Sequence, residues 1–209
     1  NTQNAIGNLL LAQDIEKETA LHIAAKNLDA EAICMLLRAK KSIAPLMLSI
    51  QNSRGETPFL QVFSSILNTS VQLYESSNSE ICSNNTMKFS TTLANGLVKA
   101  LKIMAKLNPT CCISVVDNTN QNLLHKAVQC IPNAPFSPIG INESLQLSDA
   151  SLGSLSADRF VVTILEKLYF SFPLDLWVKL ATQQDAHGQT PLSLATSLKN
   201  LHVMTFLAN

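Results

Sequence analysis

Glycine is scarce in this chain, with six in 209 residues, and none is arranged as a phosphate-cradling loop. There is no H-E-x-x-H metal motif, no serine or cysteine in a nucleophile-elbow setting, and no pair of carboxylates spaced for acid–base work. Charge is also sparse. Charged residues make up 14%, and 15 basic side chains against 15 acidic ones leave no net charge, so a basic surface that neutralises phosphates is not expected. No apolar run reaches the roughly 18 residues that cross a bilayer, and the opening Asn1-Thr2-Gln3-Asn4 has no basic stretch leading into an apolar one. These absences predict a chain that is not an enzyme. No cofactor, metal, small-molecule substrate, membrane span or direct nucleic acid contact is expected of it.

Paired cysteine spacing is missing too. Cys34, Cys82, Cys111, Cys112 and Cys130 form an odd set without C-x-x-C, which reads as reduced thiols that act as small hydrophobes. Three N-x-[ST] sequons, at Asn68, Asn84 and Asn142, lie in Asn-rich stretches where chance matches are common.

What is present is a repeated pattern. In Glu18-Thr19-Ala20-Leu21-His22-Ile23-Ala24-Ala25 a threonine is placed to cap a helix, and small residues follow that let neighbouring helices approach closely. Ile33, Leu36 and Leu37, spaced by three and four, give a second helix its apolar stripe. The pattern returns at Arg54-Gly55-Glu56-Thr57-Pro58-Phe59-Leu60, at Asp117 to Val128 with Asn122 as the cap, and at Asp185 to Ala195. Pro58 and Pro191 directly follow their capping threonines, where a missing N–H costs a helix nothing.

These residues resemble the T-P-L-H-x-A-A signature of ankyrin repeats. The resemblance implies an all-α ankyrin solenoid of at least four helix pairs, with repeats starting near residues 14, 52, 117 and 185. The caps Thr19, Thr57, Asn122 and Thr190 are separated by 38, 65 and 68 residues, against an unadorned period of about 33. Each of the two long intervals has room either for a degenerate extra repeat or for an insertion within one repeat, and insertions at about 64–88 and 131–156 are the favoured reading. Both are rich in Ser, Asn, Thr and Pro and read as loops. Second helices are expected over 93–107 and 158–170. Asn8 to Gln13 reads as the tail of a preceding helix, and the end at Phe206 to Asn209 reads as a domain excised from a longer protein.

The layout is more narrowly similar to the central ankyrin domain of the fungal SBF and MBF cofactors, which control transcription at the start of the cell cycle. The similarity rests on the two insertions, a strand-like Cys111 to Asp117 before a Leu-His repeat, and Leu174 to Lys179 introducing the last repeat. It implies a protein–protein interaction module in a nuclear transcription regulator. The alternative is an adaptor of another class, such as a ubiquitin-ligase substrate receptor or a bacterial effector.

His22 and His125 occupy the Leu-His position, where the resemblance implies hydrogen bonding around the repeat turn and not catalysis. His187 falls in a turn and His202 in the last helix. Lys99, Lys102 and Lys106 share one side of a second helix and read as a solvated outer face. Partner contacts are expected from exposed positions on the turn tips and first helices: Lys26, Arg54, Gln61, Gln121, Lys126, Gln129 and His187. Ser137-Pro138 in the second insertion is a possible phosphorylation site.

Overall fold

A computed structural model describes residues 2–77, 89–110, 115–129, 154–155 and 157–208. Four helix pairs succeed one another. They are α2 (Ala20–Lys26) with α3 (Ala30–Ala39), α5 (Pro58–Ser77) with α6 (Thr91–Leu107), α7 (Leu123–Gln129) with α8 (Ala157–Tyr169), and α10 (Pro191–Ser197) with α11 (Leu201–Ala208). The first helices pack in the order α2, α5, α7, α10 and the second helices in the order α3, α6, α8, α11, so the pairs stack as a solenoid. The architecture is the expected ankyrin-type one.

Helices whose bounds lie within the described residues lead into three of the repeats: α1 (Thr2–Leu11), α4 (Ala44–Ser49) and α9 (Leu174–Thr182). Each ends three residues before an aspartate or asparagine, at Asp14, Asn52 and Asp185. Helix α4 and the 3-10 turn before it, Lys41–Ile43, fill the excess of the first interval without any loop. Sequence patterning missed α4 because Pro45 sits inside it. That proline lies in the first turn, where no intrahelical N–H bond is lost.

Local chemistry explains where the short first helices stop. After α2 and α10 the chain turns through Leu28 and Lys199, both in the left-handed region at φ 55°. Asp29 and Asn200 then donate their N–H groups back to Ala24 O and Ala195 O, each at a Schellman-type end. The same two residues cap the helices that follow, with Asp29 Oδ1 accepting from Ala32 N–H and Asn200 Oδ1 from Val203 N–H.

Helix α5 has no such stop, and here the loop reading is corrected. Residues 64–77, expected as loop, are helical. Their serine and asparagine content misleads, because inside the stack the polar groups find partners: Ser64 Oγ donates to Glu56, and Gln61 Nε2 to Ser65 Oγ at 3.2 Å. Ile66 is fully buried beside Val62 and Phe63. The apolar contact outweighs the weak local preference.

Val115 and Val116 are not in a strand, contrary to the strand-like reading, while Cys111 to Ser114 lie outside the described residues. Two short strands do occur elsewhere. Phe89–Ser90 and Ser154–Leu155 pair antiparallel, Phe89 opposite Leu155, just ahead of the neighbouring helices α6 and α8. The greater part of the second insertion, including Ser137, lies outside the described residues, as do Cys130 just before it and Cys82 in the first.

The main core runs through the first three pairs and takes in Leu21, Phe59, Phe63, Leu97, Leu101 and Phe160. Val128, Leu194, Ala195 and Val203 form a separate cluster that joins the third pair to the fourth. Among the described residues, no helix is long and apolar enough to cross a membrane.

Candidate interaction surface

Each repeat opens on the same turn. The side-chain oxygen of the first residue accepts the N–H groups two and four positions on: Asp14 from Glu16 and Glu18, Asn52 from Arg54 and Glu56, Asp117 from Thr119 and Gln121, Asp185 from His187 and Gln189. The residue three positions on is left-handed in every case: Lys17, Gly55, Asn120 and Gly188. Gly55 is doubly required, because a Cβ there would collide with Asn118 of the next tip.

Backbone hydrogen bonds join successive tips into one edge. Ser53 N–H donates to Glu16 O at 2.8 Å, Asn118 N–H to Arg54 O at 3.0 Å, and Ala186 N–H to Thr119 O at 2.9 Å. The histidines tie the repeats one layer deeper. His22 Nε2–H donates to Glu56 O at 3.1 Å while its Nδ1 accepts Thr19 N–H, which fixes the neutral tautomer. His125 repeats the arrangement two interfaces on, between the third and fourth repeats, with Nε2–H to Gln189 O at 2.9 Å. The structural role expected of His22 and His125 is what the geometry shows. Burial pushes the His22 pKa below 6.5, against the opposing pull of its bond to Glu56 O and of nearby carboxylates.

Charged groups on this face alternate in sign across three repeats. Lys26 Nζ lies 3.1 Å from Glu18 Oε2, and Arg54 reaches Glu18 at 3.6 Å and Glu56 Oε2 at 3.1 Å. Lys126 Nζ bridges Glu56 Oε1 at 3.2 Å and Asp117 Oδ2 at 2.6 Å. All three acids are buried, and so Asp117 is pushed up by desolvation. Hydrogen bonds from Lys126, Thr119 and Gln121 outweigh that push and hold its carboxyl below the ordinary range. Asp185 is lowered in the same way, mainly by the N–H groups of Gln189 and His187. The Arg54 N–H is not aimed at Glu56 Oε2, which is left buried as an ion-pair partner without a hydrogen bond.

The residues expected to meet a partner therefore divide. Lys26 and His187 are exposed and Arg54 is half-exposed, whereas Gln121 and Gln129 are half-buried. Gln61 is not exposed as expected. It is 0% accessible because Asn52 Nδ2 and Arg54 both donate to its Oε1, at 3.0 and 2.8 Å. Lys126 is not an exposed groove residue either, since its side chain is only 12% accessible and serves the two carboxylates. Arg54, Gln61 and Lys126 converge on Glu56 and its neighbours, while His187 sits at the far tip.

Sequence reasoning overlooked Glu18, Glu56 and Asp117. A signal was present for the first two: the residue before each capping position is Glu18, Glu56, Gln121 or Gln189, and its carbonyl accepts the first N–H of its own turn in all four repeats. Among the described residues, no group of three or more His, Cys, Asp or Glu side chains is placed to hold a metal ion.

No protein-family model matches the chain, and none of the curated proteins does. Among solved structures, it is similar to the complex of the predatory endopeptidase Bd0816 from Bdellovibrio bacteriovorus with the immunity protein Bd3460. The likeness has 15% identity over 99% of this chain and 89% of that one, at a TM-score of 0.36. It is also similar to the ankyrin repeat domain of Bcl-3, a member of the IkappaB family, with 17% identity over 96% and 72% of the two chains and a TM-score of 0.31. Neither likeness is close enough to bear on function, and the ankyrin-type architecture is read from the stacked helix pairs and their turns.

Proposed function

We propose that this domain is a noncatalytic protein–protein interaction module whose working surface is the row of turn tips and first helices. The observation that carries this reading is the continuous edge. Hydrogen bonds from tip to tip hold the exposed side chains of successive repeats at fixed separations, as an extended recognition surface requires. The cations along it are already matched by buried carboxylates, which favours recognition through hydrogen bonds over net charge. The finer reading is a nuclear cofactor in cell-cycle transcription, and it rests on the sequence resemblance to the SBF and MBF ankyrin domains.

Affinity capture from a cell extract tests both levels. Lys26→Ala, Arg54→Ala and His187→Ala combined should keep the fold and lose protein partners, and the wild-type set should include a sequence-specific DNA-binding protein. If the triple variant retains every partner, the surface assignment is wrong. Capture of ubiquitin-ligase subunits instead would move the module to the adaptor class.

A further inference from the structure

The zero net charge of the whole chain hides an uneven distribution. Between Glu80 and Asp117 there is no acidic residue, while Lys88, Lys99, Lys102 and Lys106 fall in that stretch. The last three lie in α6, the second helix of the second repeat. Its exposed positions Thr92, Asn95, Lys99, Lys102 and Lys106 recur every three or four residues and so form one stripe. Lys167 of the neighbouring α8 extends the row, because its Nζ donates to Asn95 Oδ1 at 2.6 Å, one turn before Lys99. Four ammonium groups thus follow one another along the outer face for about 16 Å, at a helical rise of about 1.5 Å per residue.

Among the described residues, Lys99, Lys102 and Lys106 enter no ion pair. That separates them from Lys26, Arg54 and Lys126, whose charges are matched by buried carboxylates. Like charges three and four residues apart destabilise a helix. Only Lys106 lies in the last turn, where the helix dipole favours a cation. Glu31 on α3 and Glu166 on α8, exposed on the flanking helices, pair with none of these lysines.

The fold itself offers no cover for this face. Helix α6 sits inside the stack, between α3 and α8, and repeats added at either end of a solenoid extend it without covering the outer side of an interior helix. Nor does the sequence outside the described residues hold a matching acidic run. Glu80, Glu143 and Asp149 stand there singly, each at least five residues from the next acid.

We infer that the outer face of α6 is a docking strip for an acidic segment of a partner protein, with three or four carboxylates spread over the same length. Lysines present compact charges on flexible stems, which suits carboxylates on a polypeptide. Helix α6 has no aromatic side chain on which a base could stack. Four cations beside Glu31 and Glu166 would also neutralise few phosphates. The strip lies on the second helices, apart from the tips and first helices, and does not depend on that surface binding anything.

The probe is a fluorescein-labelled, alanine-based helical peptide with four glutamates spaced four, three and four residues apart, titrated into the full chain at low salt and read by anisotropy. Saturable binding is expected. It should weaken by about tenfold or more in the triple variant Lys99→Gln, Lys102→Gln and Lys106→Gln. A matched control, Lys17→Gln, Lys179→Gln and Lys199→Gln, removes the same charge at exposed lysines outside the strip and should leave affinity within about twofold. Lys102→Glu supplies a second readout. It replaces two repulsions by attractions to Lys99 and Lys106, so it should raise the melting temperature of the free chain while lowering peptide affinity. Absence of saturable binding at millimolar peptide overturns the inference, as does equal weakening in the two triple variants. A lower melting temperature for Lys102→Glu also overturns it, because the lysines then serve the fold. Tighter binding to a short DNA duplex or to phosphatidylserine vesicles, abolished by the same triple variant, would assign the strip to nucleic acid or membrane and overturn it too.

Discussion

Lys126 and Arg54 carry the same charge on the same face, yet their surroundings give them different work. Lys126 is nearly enclosed and holds two buried carboxylates, so Lys126→Met leaves Asp117 without its cation and Glu56 with the half-exposed Arg54 alone. Unfolding by urea should show a loss of about 3–5 kcal/mol, the usual cost of breaking a buried pair from one side. Arg54 is half in water, and Glu56 keeps Lys126 and Ser64 without it, so Arg54→Ala should cost less than about 1 kcal/mol. Equal losses for the two would contradict this division. His22→Ala removes a buried bridge between repeats and should cost about 1–2 kcal/mol at pH 7.5. Because the folded His22 pKa lies below 6.5, the unfolded chain takes up the proton first. The contribution of His22 is complete above that pH and is lost as pH falls toward the folded value. The stability gap between wild type and His22→Ala should therefore narrow from pH 7.5 to pH 5, and a gap that widens would refute the assignment. Asp117 and Asp185, with carboxyls held below 3.8, act in a lower window, their contribution present above that pH and fading beneath it.

At the scale of the element, α5 is the clearest case of tertiary contact deciding local structure. Its first turn was legible, with Thr57 accepting Leu60 N–H and Pro58 in the first helical position. Its length was not, because the serines and asparagines after Phe63 have the composition of a loop. Ile66→Ala should cost about 2–5 kcal/mol if that residue is core, as its complete burial indicates. A change below half a kcal/mol, read from the thermal midpoint, would restore the loop reading. The second helices α6 and α8, by contrast, lie within one or two residues of their expected bounds, since their apolar stripes carry period and length together. For α9 only the apolar start was legible. That it is a helix follows from Trp177, whose ring packs on Tyr169, Phe172 and Phe206 and whose Nε1 donates to Tyr169 O.

For the whole molecule, the stack is held by contacts between successive repeats, and the second insertion, read from its sequence as loop, is expected to add little to that sum. Replacing Asn133 to Ser151 by a short Gly-Ser linker should leave cooperative melting within a few degrees of wild type, because loop-closure entropy changes slowly with length. The β1–β2 pairing formed by Phe89–Ser90 and Ser154–Leu155 lies outside the deletion. Loss of cooperative unfolding would make that segment part of the core. The sequence by itself determined the repeated unit: caps, small residues, apolar stripes and the aspartate or asparagine that opens each turn act within a few residues, so they are visible locally. Tertiary structure alone decided which polar side chains on the shared face remain available. Glu18 meets Arg54 and Glu56 meets Lys126 only when the repeats stack, and that ion pairing depends on the approach of separate repeats rather than on neighbours in the chain.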